Sequence, residues 1–93
     1  NDPQVYEAAD ALSSLILSGA LKSDKENIIN IYRRVTGRTP DNTEVDELIE
    51  FYEYVRKNEM EQFKTKSRVE VKQRAYTSLT LLIYNLDETT QKS

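Results

Sequence analysis

Apolar residues return along this chain at spacings of three and four, in four stretches separated by polar and turn-forming residues. Such spacing lines one face of an α-helix, so each stretch predicts a helix with a buried stripe. In the first, Val5, Ala9, Leu12 and Ile16 form the stripe, with Ala8 and Leu15 flanking it. Asp2 ahead of Pro3 reads as an N-cap with proline at the first helical position, and Gly19 stands where a left-handed C-cap belongs. The second stretch opens on Ser23-Asp24-Lys25-Glu26, a capping box in which hydroxyl and carboxylate satisfy each other's orphan amides. Ile28, Ile31, Tyr32 and Val35 carry its stripe, Ile29 lies on the border, and Gly37 closes it.

Thr39-Pro40 cannot continue that helix, because proline lacks an amide and restricts the residue before it. Asp41 with Glu44 makes another capping box, followed by Val45, Leu48, Ile49, Tyr52 and Val55. Acidic residues crowd the start of this third helix and Arg56 and Lys57 come later, the order favoured by the helix dipole. Its end is expected at Met60 or as late as Phe63. After a polar, basic connection Ser67 and Glu70 suggest a further cap, and Ala75, Tyr76, Leu79, Leu82, Ile83 and Leu86 follow. This last helix is apolar around much of its circumference and is expected to be the most buried, with Asp87 to Ser93 a polar, frayed tail. The fold expected is therefore all-α: a compact, up-down, bundle-like domain of four helices, three long plus one connecting or terminal. Short connections make neighbours antiparallel, with the fourth helix in the groove of the others.

At 93 residues the chain supports one domain spanning 1–93. Its net charge of −3 gives no basic field for phosphate, so nucleic acid is not an expected partner. It has no cysteine and no histidine, which excludes a disulfide scaffold and any zinc, iron–sulfur or c-type haem ligation within this chain. Thiol and imidazole catalysis are excluded with them. No stretch approaches the ~20 apolar residues of a membrane span. The opening Asn1-Asp2-Pro3 lacks an initiator methionine and reads as the interior of a longer gene product, a processed terminus being the alternative.

Few residues offer chemistry. Asp46, Glu47 and Glu50 are better read as a solvated face than as a cation site, since a cage needs oxygens converging from several elements. The turn from Thr36 to Asp41 lacks the alternating oxygen ligands of an EF-hand loop. Lys64, Lys66, Arg68, Lys72 and Arg74 form a basic stretch that would contact a polyanion, an acidic glycan or a nucleic acid, chiefly through Lys66 and Arg68. Glu61 and Glu70 dilute it, and a solvated connector or a complement to the acidic third helix is the weightier reading. Among six tyrosines, Tyr32, Tyr52 and Tyr76 fall on core stripes. Tyr54 lies off its stripe beside Phe51, and these two are the candidate contact patch.

The start Asn1-Asp2-Pro3-Gln4, the alanine-rich first helix, Ile31-Tyr32-Arg33-Arg34-Val35-Thr36-Gly37-Arg38-Thr39-Pro40 and the end Leu82-Ile83-Tyr84-Asn85-Leu86-Asp87-Glu88 together carry a family likeness. The chain resembles the C-terminal domain of unknown function of planctomycete-type cytochrome c multidomain proteins, with Thr89 where an aromatic residue is usual. The resemblance implies a non-catalytic accessory module at the end of an exported protein, with that protein's other domains as partners. It holds no cofactor in this chain, any haem being bound far upstream. Asn85 and Asp87 match the closing motif and are expected either to cap the last helix or to contact an adjoining domain.

Overall fold

The computed structural model contains four helices and, among the described residues, no strand: α1 (Pro3–Ser18), α2 (Asp24–Thr36), α3 (Asn42–Gln62) and α4 (Arg68–Lys92). It describes residues 3–19, 22–62 and 67–92, with side chains through Asp87. The expected Asp2 cap, Phe63 and the basic residues Lys64 and Lys66 lie outside the described residues.

The helix starts follow the capping chemistry of the sequence. The Glu26 amide donates to Ser23 Oγ at 3.2 Å while the Ser23 amide donates to Glu26 Oε1 at 3.4 Å. The Glu44 amide donates to Asp41 Oδ1 at 2.8 Å and the Asp41 amide to Glu44 Oε1 at 3.1 Å. At α4 the Glu70 amide donates to Ser67 Oγ at 3.2 Å. Each closure satisfies donors that the first helical turn leaves without partners. Gly37 ends α2 at φ 75°, and its amide donates to the Arg33 carbonyl at 2.9 Å. An L side chain there would meet its own backbone, which is why glycine terminates this helix.

Two boundaries differ from expectation. Gly19 does not adopt the left-handed conformation: among the described residues only Gly37 has positive φ. The Gly19 amide instead donates back to the Leu15 and Ile16 carbonyls at 3.2 and 3.3 Å, so α1 ends by tightening. The tail expected from Asp87 is helical as far as Lys92, because neither glycine nor proline interrupts it.

Helix α4 touches all three others, whereas α1 and α3 do not touch each other. The bundle is thus flattened, with α4 running antiparallel to α1 and α3 and parallel to α2 along the short diagonal. The core consists of Ile16, Ile28, Ile31, Tyr32, Leu48, Tyr52, Ala75, Tyr76, Leu79 and Ile83, and Val35, Ile49, Phe51 and Val55 pack against it. The Tyr52 and Tyr76 rings stack with centroids 4.7 Å apart. Ser13 is fully buried while its neighbour Leu15 is 54% exposed, the reverse of what the α1 stripe suggests. The reason lies across the interface. Ser13 Oγ donates to the Ala9 carbonyl at 2.9 Å and accepts from Thr77 Oγ1 at 3.0 Å. Gln73 of α4 donates to Ser14 Oγ at 2.8 Å and Asp10 Oδ1 at 3.1 Å, so α1 docks on α4 through matched polar groups as well as apolar ones.

Candidate functional site

The alternation of helix directions brings the α2 C-terminus, the α3 N-terminus and the α4 C-terminal half to one end of the bundle. There Tyr32 donates its hydroxyl to Glu44 Oε2 at 2.8 Å, and the Arg38 guanidinium lies 5.3 Å from the centre of the Tyr32 ring. Thr36 braces the turn: its Oγ1 donates to the Tyr32 carbonyl at 2.8 Å and accepts from the Arg38 amide at 3.1 Å. Hydrogen bonds from the Asp41 amide and the Tyr32 hydroxyl hold the Glu44 carboxyl below its usual range. Burial, reinforced by Glu44, pushes the Tyr32 hydroxyl up.

Beside this turn opens a cleft of about 280 Å³, lined by Tyr32, Arg38, Glu44, Glu47, Leu48, Leu82, Leu86 and Asp87. Glu47 also borders a shallow depression of about 330 Å³ on the outside of α3, formed with Glu50, Phe51 and Tyr54. One carboxylate therefore joins two hollows into a single face running from α4 across α3. Arg38 of the turn after α2 and Leu86 and Asp87 of the closing segment, far apart in sequence, line the same cleft.

The expected contact residues are distributed unevenly. Tyr54 is 68% exposed, but Phe51 is half-buried against the core, so the patch is one open ring beside one anchored ring. Asp87 lines the cleft, whereas Asn85 is exposed outside it. Neither caps α4, which continues past both. Arg68 is exposed at the first turn of α4, at the opposite end of the bundle, and Lys66 lies outside the described residues. Within the same basic stretch, Lys72 Nζ is 3.4 Å from Asp24 Oδ1 and Arg74 Nε is 2.9 Å from Glu59 Oε2. Those two charges serve the packing of α4 on α2 and α3. The place of Glu47 on the joint face was not legible beforehand, although Glu47, Glu50, Phe51 and Tyr54 stand at the i, i+3, i+4, i+7 spacing of one helical face.

A second polar cluster lies at the edge of the core, where two buried tyrosines reach a half-buried carboxylate. Tyr76 donates to Asp24 Oδ1 at 2.5 Å and accepts from Asn27 Nδ2 at 3.2 Å, and Tyr52 donates to the same Asp24 oxygen at 3.2 Å. Burial alone would push the Asp24 carboxyl up. The Tyr76 hydrogen bond, the Lys72 charge and the Tyr52 hydrogen bond outweigh it, leaving the carboxyl below its ordinary value. Burial and the Asp24 bond push Tyr76 up to about 12, and burial raises Tyr52 as well. These shifts arise from groups bonded to one another across α2, α3 and α4, the pattern of a structural clasp.

Among the described residues, no three acidic side chains converge as a metal cage would require. None of the helices is long and apolar enough to cross a membrane, over the described residues. The chain is thus an all-α, four-helix domain with a joint acidic and apolar face at one end. No protein-family model, no curated protein and no solved structure matches it at a significant level.

Proposed function

We propose that this chain is a non-catalytic helical accessory module, docking against other domains of a larger exported protein through the end of the bundle that gathers Arg38, Glu47 and Asp87. The observation that carries this reading is the separation of two clusters. The largest shifts, at Tyr52 and Tyr76, arise from groups bonded to one another and to Asp24 at the edge of the core, away from the cleft. The open hollows instead expose apolar and acidic side chains, which suit contact better than bond-making. The resemblance to the C-terminal domain of planctomycete-type cytochrome c proteins supports the same reading. Two of the segments that carry it supply residues to the same cleft, Arg38 from the turn after α2 and Leu82, Leu86 and Asp87 from the closing stretch. On this reading the chain itself binds no haem, and any haem sits in a domain far upstream.

The open reading frame around the chain tests the proposal. Further domains preceded by an export signal are expected. A frame encoding this bundle alone would overturn the accessory reading. The basic stretch is a weaker basis for function, since Lys72 and Arg74 are engaged within the fold.

A further inference from the structure

We infer that the joint face of α3 and α4 receives a basic amphipathic helical segment, with lysine or arginine flanking apolar side chains. This inference rests on the docking reading above and names the chemistry of the partner. Three features of the face select that chemistry. Its floor is apolar: Leu82 and the exposed Leu86 in the cleft, and the anchored Phe51 in the depression. Its borders are acidic, with Glu47 shared by both hollows, Glu50 on the outer side and Asp87 on α4. Among the described residues that line it the cation is Arg38, which lies against the Tyr32 ring rather than across the floor.

A partner helix placing apolar residues on such a floor brings its flanking side chains over the borders, where cations are attracted, anions are repelled and neutral groups gain nothing from the charge. Tyr54, 68% exposed at the outer edge, offers a ring face on which a guanidinium or ammonium group can rest. The apolar groove on the other side of α4, lined by Val5, Ala8, Leu12, Val35, Leu81 and Tyr84, lacks such a charge pattern and selects no partner.

The test uses an acetylated, amidated leucine/lysine amphipathic peptide of about 14 residues, long enough to form a helix on binding. A leucine/glutamate peptide of the same length and pattern serves as control. Binding to the chain is measured by titration calorimetry at low and at physiological salt. The lysine peptide is expected to bind, more weakly as salt rises, and the glutamate peptide is not. Glu47→Lys with Glu50→Lys is expected to weaken binding at least about tenfold, and Tyr54→Ala several-fold. Glu7→Lys with Glu61→Lys makes the same change in net charge at residues that line neither hollow and is expected to leave affinity within about twofold. Circular dichroism checks that each variant remains helical. Equal loss in the two double variants would reduce the effect to bulk charge and overturn the inference, as would no binding at low salt. If the lysine peptide fails while the same face is shielded in the longer protein, the docking reading stands and the basic partner is wrong.

Discussion

Tyr52 and Tyr76 stack at 4.7 Å and direct both hydroxyls to one oxygen of Asp24, so a single carboxylate at the start of α2 ties α3 and α4 together. The arrangement places two phenol rings where a helical bundle ordinarily places aliphatic side chains, with the carboxylate at the edge of the core. Tyrosine suits it because the ring fills the core while the hydroxyl finds a partner.

Replacing Asp24 by asparagine keeps the shape of this clasp and removes its charge. A loss of about 2 kcal/mol at neutral pH is expected, since hydrogen bonds to a charged group are worth roughly 1.5–3 kcal/mol. The folded-state carboxyl lies below its ordinary 3.8, so its contribution is present above that pH and fades as pH falls through the folded value. Denaturant unfolding of the two proteins should therefore differ most near neutrality, with the gap narrowing below pH 3.8. A gap independent of pH would separate the stabilisation from the charge.

On the alkaline side the sign reverses. Tyr76 is raised from 10.0 to about 12, so its neutral form stabilises the fold fully below pH 10. That contribution is lost as pH rises toward about 12. Phenolate absorbance should therefore show Tyr52 and Tyr76 ionising only together with loss of helical circular dichroism. Tyr76→Phe keeps the stack but loses two hydrogen bonds, for an expected cost of about 1–2 kcal/mol at neutral pH.

The two glycines should respond oppositely to alanine. At Gly37, φ 75° disfavours any Cβ although nothing stands within 4 Å, so a loss of roughly 1 kcal/mol is expected from backbone conformation alone. For a domain of this size that corresponds to a fall in Tm of about 4–8 °C. At Gly19 the backbone is not left-handed, and a Cβ would rest 3.4 Å from the Ile16 carbonyl oxygen. Alanine there is expected to be neutral or slightly stabilising, because it restricts the unfolded chain. Thermal melts of the two variants decide the matter.

Between α1 and α4, Ser13→Ala with Thr77→Val should cost less than the sum of the two single changes. Each single change leaves part of a buried hydroxyl pair without its mate, whereas the double change removes both. A double-mutant cycle with no coupling would show that the pair contributes nothing to helix docking.

Most of the fold was legible because its signals are local. The Ser23/Glu26, Asp41/Glu44 and Ser67/Glu70 pairs mark the starts of α2, α3 and α4, and Gly37 and Pro40 separate α2 from α3. What escaped depends on partners distant in sequence. Ser13 is buried because Thr77 faces it, and Leu86 is exposed where it lines the cleft. Gly19 misleads because glycine permits a left-handed cap without requiring one. Tyr54 was legible as a residue off its stripe. The joining of its hollow to the Asp87 cleft through Glu47 was not, since that depends on how α4 lies along α3.

The most direct measurement is amide hydrogen exchange on this chain, alone and within the longer protein proposed to contain it. Slower exchange in the longer protein over residues 32–54 and 80–87, which border the joint face, is expected, with α1 unchanged. Identical exchange at that face in both settings would contradict docking there.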